Sequence, residues 1–244
     1  MDVWGLTDPG NVRKQNQDIF YTERLAEHCL LAVVCDGMGG AKAGNVASRL
    51  ATDVFTEEVK RTFSQDMTPE ETERVLRNAV TLANISVFEH SQLSEEFSGM
   101  GTTLVACLVY PRAILVVNVG DSRAYHFSAD GVNCVTTDHS VVEMMVRRGE
   151  LTPEQAKTHP SKNLITRAVG TGPQVESDIF RVKAERGDCI LLCSDGLSNL
   201  MADQEMLFEV AHGAKKDDCC QRLLEIAKDR GAPDNVTAVL ISLT

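Results

Sequence analysis

Three aspartates in this chain stand where a rigid backbone would hold them. Asp36 follows the apolar run Leu30-Leu31-Ala32-Val33-Val34-Cys35, and Asp195 follows Cys189-Ile190-Leu191-Leu192-Cys193-Ser194. In both places glycine comes next, so each segment reads as a buried strand that carries a carboxylate to its exposed end and then turns. A third acid, Asp234, lies in Gly231-Ala232-Pro233-Asp234-Asn235, just before the strand-like run from Val236 to Leu243. Carboxylates on strand ends suit hard divalent cations, which take oxygen ligands in octahedral geometry. The chemistry indicated is metal-dependent hydrolysis. Asp-Gly is also an ordinary turn pair, and Asp130-Gly131 needs no other explanation. The pairs at 36 and 195 differ because each ends an apolar run, and with Asp234 they favour the ligand reading.

Other polar segments are less decisive alone. Arg13-Lys14-Gln15-Asn16-Gln17-Asp18 precedes a strand-like Ile19-Phe20-Tyr21. It reads either as a solvated loop or as Arg13 forking onto a phosphate while Asp18 joins the carboxylates. Gly99-Met100-Gly101-Thr102-Thr103 is a glycine-rich strand entry, better explained by close backbone packing than by a phosphate cradle. Gly120-Asp121-Ser122-Arg123 reads as a turn between strands. The six histidines have no metal-ligand spacing.

The elements that must hold these residues follow from periodicity. Residues 43 to 60 form an amphipathic pattern with Val46, Leu50 and Val54 on one face. Thr68-Pro69-Glu70-Glu71 is a capping box with proline at the first helical position, opening a helix to about Gln92 with Leu76, Val80, Ala83 and Val87 on one side. Residues 102–110 and 113–119 read as a hairpin, and 123–127 and 132–136 as a second one around Asp130-Gly131. Ser140 to Arg148 looks helical. Thr152-Pro153-Glu154-Gln155 caps another short helix. Strands are expected at 175–182, 189–194 and 236–243, and helices at 202–211 and 217–230. Neighbouring hairpins with paired helices make the class α+β rather than alternating βαβ.

Composition narrows the function classes. The chain has 244 residues, 43% hydrophobic, with a formal net charge of -11. That is enough to bury a sizeable core. No basic stripe is present for nucleic acid, and no run approaches 18 apolar residues, so no membrane span is expected. No linker or repeat divides the chain, so residues 1–244 are read as a single domain. The eight cysteines lack paired metal spacing. Without a signal-peptide pattern, a reducing cytoplasmic setting is expected.

The order of the pieces is more specific than any one of them. Arg-x-x-Asn-Gln-Asp, Asp-Gly-Met-Gly-Gly, Gly-x-Gly-Thr-Thr, Gly-Asp-Ser-Arg, Asp138-His139-Ser140, Ile165-Thr166-Arg167-Ala168-Val169-Gly170, Ser194-Asp195-Gly196-Leu197 and Asp234-Asn235-Val236-Thr237 occur in sequence. The chain thereby resembles the type 2C metal-dependent Ser/Thr protein phosphatases, in their compact bacterial form, from Trp4 to Leu243. The resemblance implies a four-layer α-β-β-α sandwich, two central mainly antiparallel sheets flanked by helix pairs, with a dinuclear Mn²⁺ or Mg²⁺ site at one end. By matching motifs, Asp36 bridges both ions and the Gly37 carbonyl binds one. Asp195 and Asp234 complete the second, and Asp121 with Asp195 matches a third, weaker ion. Asp18 holds a metal-bound water, and Arg13 takes the substrate phosphate. Residues 140–164 match the flap beside the site, whose Arg147, Arg148, Lys157 and Lys162 are expected to meet acidic or phosphorylated substrates, with Arg147 and Arg148 as the substrate-binding candidates.

The implied activity is hydrolysis of phosphoserine and phosphothreonine by a metal-bridging water or hydroxide. The implied partners are phosphorylated Ser/Thr proteins, a Ser/Thr kinase and its substrates among them, in signal transduction by a monomer. Two departures bear on the leaving group: Met38 stands where animal members have histidine, and Ala41 where bacterial relatives often do. Metal-bound water or another residue, with His139 as a candidate, must then protonate it. The rival readings are a phosphatase dedicated to one regulatory protein of the anti-anti-sigma type, and an inactive phosphoprotein-binding module.

Overall fold

The computed structural model describes residues 1–40, 43–213 and 215–244. The strands are β1 (Asp2–Asp8), β2 (Asp18–Ala26), β3 (Cys29–Met38), β4 (Gly101–Thr102), β5 (Leu104–Tyr110), β6 (Ala113–Val119), β7 (Arg123–Ser128), β8 (Gly131–Cys134), β9 (Asp178–Val182), β10 (Cys189–Cys193) and β11 (Val236–Ser242). The helices are α1 (Ala43–Thr62), α2 (Pro69–Ser91), α3 (Val141–Arg147), α4 (Pro153–Thr158), α5 (Asp195–Ser198), α6 (Asp203–His212) and α7 (Cys219–Asp229).

Two antiparallel sheets result. One runs β1-β11-β10-β7-β8, the other β2-β3-β5-β6-β9, with β4 pairing the end of β3. Three apolar layers hold them. Leu30, Ala32 and Val34 of β3 meet Ile190, Leu192, Val239 and Ile241 between the sheets. The alternate residues Leu31, Val33 and Cys35 turn outward against α1 and α2. Leu191, Cys193, Ala238 and Leu240 do the same beneath α5, α6 and α7. A strand buried on both faces must be apolar at every position, which is why the runs before Asp36 and Asp195 do not alternate. The four-layer sandwich is as expected. No helix among the described residues is long and apolar enough to cross a membrane.

The Thr68 capping box is present, Glu71 N donating to Thr68 Oγ1 at 3.3 Å and Thr68 N to Glu71 Oε2 at 2.8 Å. Other expectations are corrected. The buried stripe of α1 is Ala43, Ala47, Ala51, Phe55 and Val59, while Val46, Leu50 and Val54 pack only at its edge. Small alanines let the helix lie close to the sheet, and size-weighted reading picked the flank instead. The strand expected from 102 is broken at Thr103, whose backbone N–H bonds the Asp36 carbonyl at 2.9 Å. The strand expected from 175 starts at Asp178, because β6 ends at Val119 and Gly120 turns away with φ +109°, leaving 175–177 without a ladder partner. The four-residue helix α5 was not anticipated.

Candidate active site

The acids converge because β2, β3, β10 and β11 end on the same edge of the sandwich. Asp18 and Asp36 sit opposite each other in the β2–β3 ladder. Asp195 opens α5 directly after β10, and Asp234 directly precedes β11. Close backbone approach requires glycine at two points: a Cβ at Gly37 would strike the Gly44 carbonyl, and one at Gly196 the Asn235 carbonyl.

The expected residues Arg13, Asp36, Gly37, Asp121, Asp195 and Asp234 line one cavity of about 610 Å³, with Met38 at its wall. Asp18 lies behind them, 4% exposed. Its Oδ2 accepts from Ser194 Oγ and Thr237 Oγ1, both at 2.7 Å. Asp18 belongs to one sheet and its partners to the other, so this carboxylate ties the layers together beneath the cavity. Its Oδ1 is buried and has no hydrogen-bond partner among the described residues. Arg13 Nη2 donates to Asp234 Oδ2 at 2.7 Å, and both side chains stay partly exposed.

Asp36 is braced by residues that sequence reading treated only as packing. Thr102 Oγ1 donates to its carbonyl at 2.8 Å, and its N–H donates to Thr103 Oγ1 at 3.0 Å. Thr103 Oγ1 in turn pairs with Ser122 Oγ at 2.7 Å, next to Asp121. Asn235 fixes the Arg13 loop, its Nδ2 donating to the carbonyls of Pro9 at 2.9 Å and Gln15 at 3.0 Å. The signal for these roles was the Thr, Ser or Asn standing beside each motif aspartate, but a hydroxyl's partner is not written in its neighbours.

The electrostatics are those of an anion cluster. Burial pushes the Asp36 carboxyl well above the ordinary range, and the charges of Asp18, Asp195, Asp121 and Asp234 push it further. Burial and the Asp195 charge hold Asp121 at about 8. Asp195 is raised by burial and by Asp234. Burial raises Asp18 to about 6 despite the bonds from Ser194 and Thr237. Among the described residues, Arg13 and Lys14 are the cations lining the cavity.

A divalent cation fits this donor set. The oxygens are carboxylate and carbonyl, the anions repel one another without a counter-ion, and the orphaned Asp18 Oδ1 awaits a donor such as water. Among the described residues no three His, Cys, Asp or Glu side chains close into a cage about one point. Hard ions that keep several waters need only one or two carboxylates each, so an open arrangement is the appropriate one.

Three expected residues lie elsewhere. Arg147 and Arg148 do not line the cavity. Arg147 is exposed, reaching Glu143 at 3.4 Å and Thr137 Oγ1 at 3.3 Å, because α3 starts at its Ser140 cap and its period turns Val142 inward. His139 is buried away from the cavity. Its Nδ1 accepts from Gly120 N at 2.9 Å, and its Nε2 lies 2.9 Å from Arg167 Nη1 and 3.2 Å from Asp178 Oδ2. Burial and the neighbouring Arg167 charge lower its pKa. It supports the Asp121 loop and does not line the cavity. Met38 lines the cavity. Ala41 lies outside the described residues.

Known proteins agree over the whole length. The family model for protein phosphatase 2C matches residues 11–240. The serine/threonine phosphatase stp of Listeria welshimeri is 34% identical over 235 residues, 96% of this chain and 93% of that protein. The solved serine/threonine phosphatase of S. agalactiae superposes with a TM-score of 0.93 at 32% identity, covering 100% of this chain and 99% of that one. The catalytic domain of serine threonine protein phosphatase PstP, solved with 2 manganese ions, gives 0.84 at 33% identity over 98% and 96% of the two chains. The ordered motifs, the double sheet with its acids on one edge, and these full-length similarities make this chain a member of the protein phosphatase 2C family.

Proposed function

We propose that this chain hydrolyses phosphoserine and phosphothreonine in proteins, using two divalent cations, manganese or magnesium. The observation that carries the reading is the acid cluster. Asp36, Asp121, Asp195 and Asp234 share one cavity in which Arg13 and Lys14 are the cations among the described residues, and burial drives the Asp36, Asp121 and Asp195 carboxyls up. Buried like charges are costly unless cations neutralise them.

Asp36 and the Gly37 carbonyl would hold one ion, Asp36 with Asp195 and Asp234 the other, and Asp121 with Asp195 a weaker third. Bound there, the ions supply Lewis acidity at the phosphoryl oxygens and an activated water. The protein supplies position. Thr102 and Thr103 fix the Asp36 backbone, and Asp18 offers its free Oδ1 from behind the cavity to orient a water. Arg13 stands at the mouth, half exposed, where its guanidinium can accompany a phosphate dianion and match its oxygens with two N–H groups. Water oxygen bonds to phosphorus as the phosphorus–seryl oxygen bond breaks, and the seryl oxygen leaves with a proton. No protein nucleophile is required.

The family's cellular setting is proposed with the chemistry: residues 1–244 acting as one catalytic unit, cytoplasmic, on phosphoproteins that include a Ser/Thr kinase and its substrates. Hydrolysis of a chromogenic phosphate ester and of a phosphothreonine peptide, with Mn²⁺ and after exhaustive chelation, tests the reading. Turnover of both with metal and neither without it is expected. Full turnover after chelation overturns the two-ion reading, and no turnover under either condition identifies a binding module.

A further inference from the structure

We propose that the cleft between the flap and the α5–α6 connection receives the substrate chain beside its phosphorylated residue, and that Lys157 and Lys162 select an acidic side chain there. The inference rests on the phosphoprotein reading above.

This second cleft has a volume of about 410 Å³ and shares Asp121 and Asp195 with the first cavity, so the two adjoin. Its walls combine Val142 and Val146 of α3 with Leu200 and Met201 across from them. That mixture of apolar walls and a few charges is typical of a recognition site rather than of a packing defect. The flap is tied at its ends, Ser140 bridging Ile165 and Val141 N donating to the Leu164 carbonyl at 2.8 Å, so its inner residues have a fixed place beside the reacting centre.

The charges decide what the cleft takes. Arg123 forks onto Asp138 at 2.9 and 2.7 Å, and this pair is closed. Glu143 faces Arg147 at 3.4 Å. Asp121 and Asp195 belong to the end shared with the metal site. Lys157 and Lys162 remain, with no ion-pair partner among the described residues, both lining the cleft from the flap. An extended chain advances about 3.3 Å per residue, so residues one to three from the phosphorylated one reach roughly 3–10 Å from it toward the adjoining cleft. A carboxylate on such a residue meets two uncompensated ammonium groups. A lysine there meets repulsion. A small aromatic ester has no atoms in the cleft at all.

The test uses the full chain with saturating Mn²⁺, a small aromatic phosphate, and phosphothreonine peptides that differ only in carrying Glu, Ala or Lys at one to three residues from the phosphothreonine. Exposed charge pairs are individually weak, so wild type is expected to favour the best Glu peptide over its Ala counterpart by about fivefold in kcat/KM, with Lys below Ala. In Lys157→Ala with Lys162→Ala that ratio falls to about one, and in Lys157→Glu with Lys162→Glu the Lys peptide leads. Both lysines are exposed, so folding should not be compromised, and each ratio is taken within one enzyme preparation. Equal rates on Glu and Ala peptides in wild type, or an unchanged preference in the double alanine variant, overturns the proposal. Failure on every phosphopeptide with the small ester still hydrolysed overturns the phosphoprotein reading and the subsite with it.

Discussion

The chelated protein should lose stability as pH rises from 5 to 8, because the acids at its active site are folded in their neutral form. Asp121 shows the size. Its carboxyl sits at about 8, against an ordinary 3.8, through burial and the Asp195 charge. A folded pKa above the unfolded one gives stability that is fully present below the unfolded value and is lost as pH climbs through the folded value. One pKa unit is worth about 1.4 kcal/mol, so over the three pH units from 5 to 8 this carboxyl alone sets a ceiling of roughly 4 kcal/mol. Asp18, held at about 6, adds in the same direction, but it shares the Asp195 charge and the two do not sum. Water in an open cavity screens such interactions, so about half the ceiling, roughly 2 kcal/mol, is the working expectation. For a chain of this length that corresponds to a fall in Tm of about 4–8 °C between pH 5 and 8. Asp121→Asn should flatten the fall and leave the variant more stable than wild type at pH 8. Mn²⁺ should raise Tm little at pH 5 and much more at pH 8, since its ligands must be ionised. Thermal denaturation in chelator and in Mn²⁺ across this range is the assay. A chelated wild-type Tm that is flat or rises from pH 5 to 8, or an Asp121→Asn slope identical to wild type, would refute the reasoning.

Three further expectations concern single positions. Asp36→Asn should cut turnover by at least about a thousandfold, roughly 4 kcal/mol of transition-state stabilisation, while the chelated variant melts no lower than wild type at pH 8; retention of a tenth of the rate would remove Asp36 from the metal site. Arg13→Ala should raise KM for a small phosphate ester about tenfold with kcat within a few-fold, because a half-exposed arginine contacts the phosphate in ground and transition states alike; steady-state kinetics with KM unchanged would return Arg13 to the role of Asp234's ion-pair partner alone. Thr68→Ala removes the cap of α2 far from the site and should cost about 1 kcal/mol, lowering Tm by about 2–4 °C with kcat/KM unaltered.

Much of this protein is written locally. The capping boxes at Thr68 and Thr152 announce α2 and α4 because a cap and its partner lie three residues apart. The buried face of α2 reads correctly from Leu76, Val80, Ala83 and Val87, where bulk and periodicity agree. On α1 they disagree, and the alanine stripe that touches the sheet is invisible to a reader who weighs side chains by size. The cavity aspartates Asp36, Asp195 and Asp234 are legible because each ends or flanks a strand that is buried on both faces, and a strand of that kind can only be apolar. What each of them faces is a different matter. Asp18 is bonded by hydroxyls 176 and 219 residues away, and Arg13 pairs with a carboxylate 221 residues on. The same holds for the flap, where composition offered Arg147, Arg148, Lys157 and Lys162 alike, and only the fold turned Arg147 to solvent and set Lys157 and Lys162 along the cleft. The sequence by itself determined which residues carry charge and which edges are buried, because these depend on residue type and short-range period. Only the tertiary structure decided which charges meet, because that depends on how two sheets and a flap pack across distances no local pattern records.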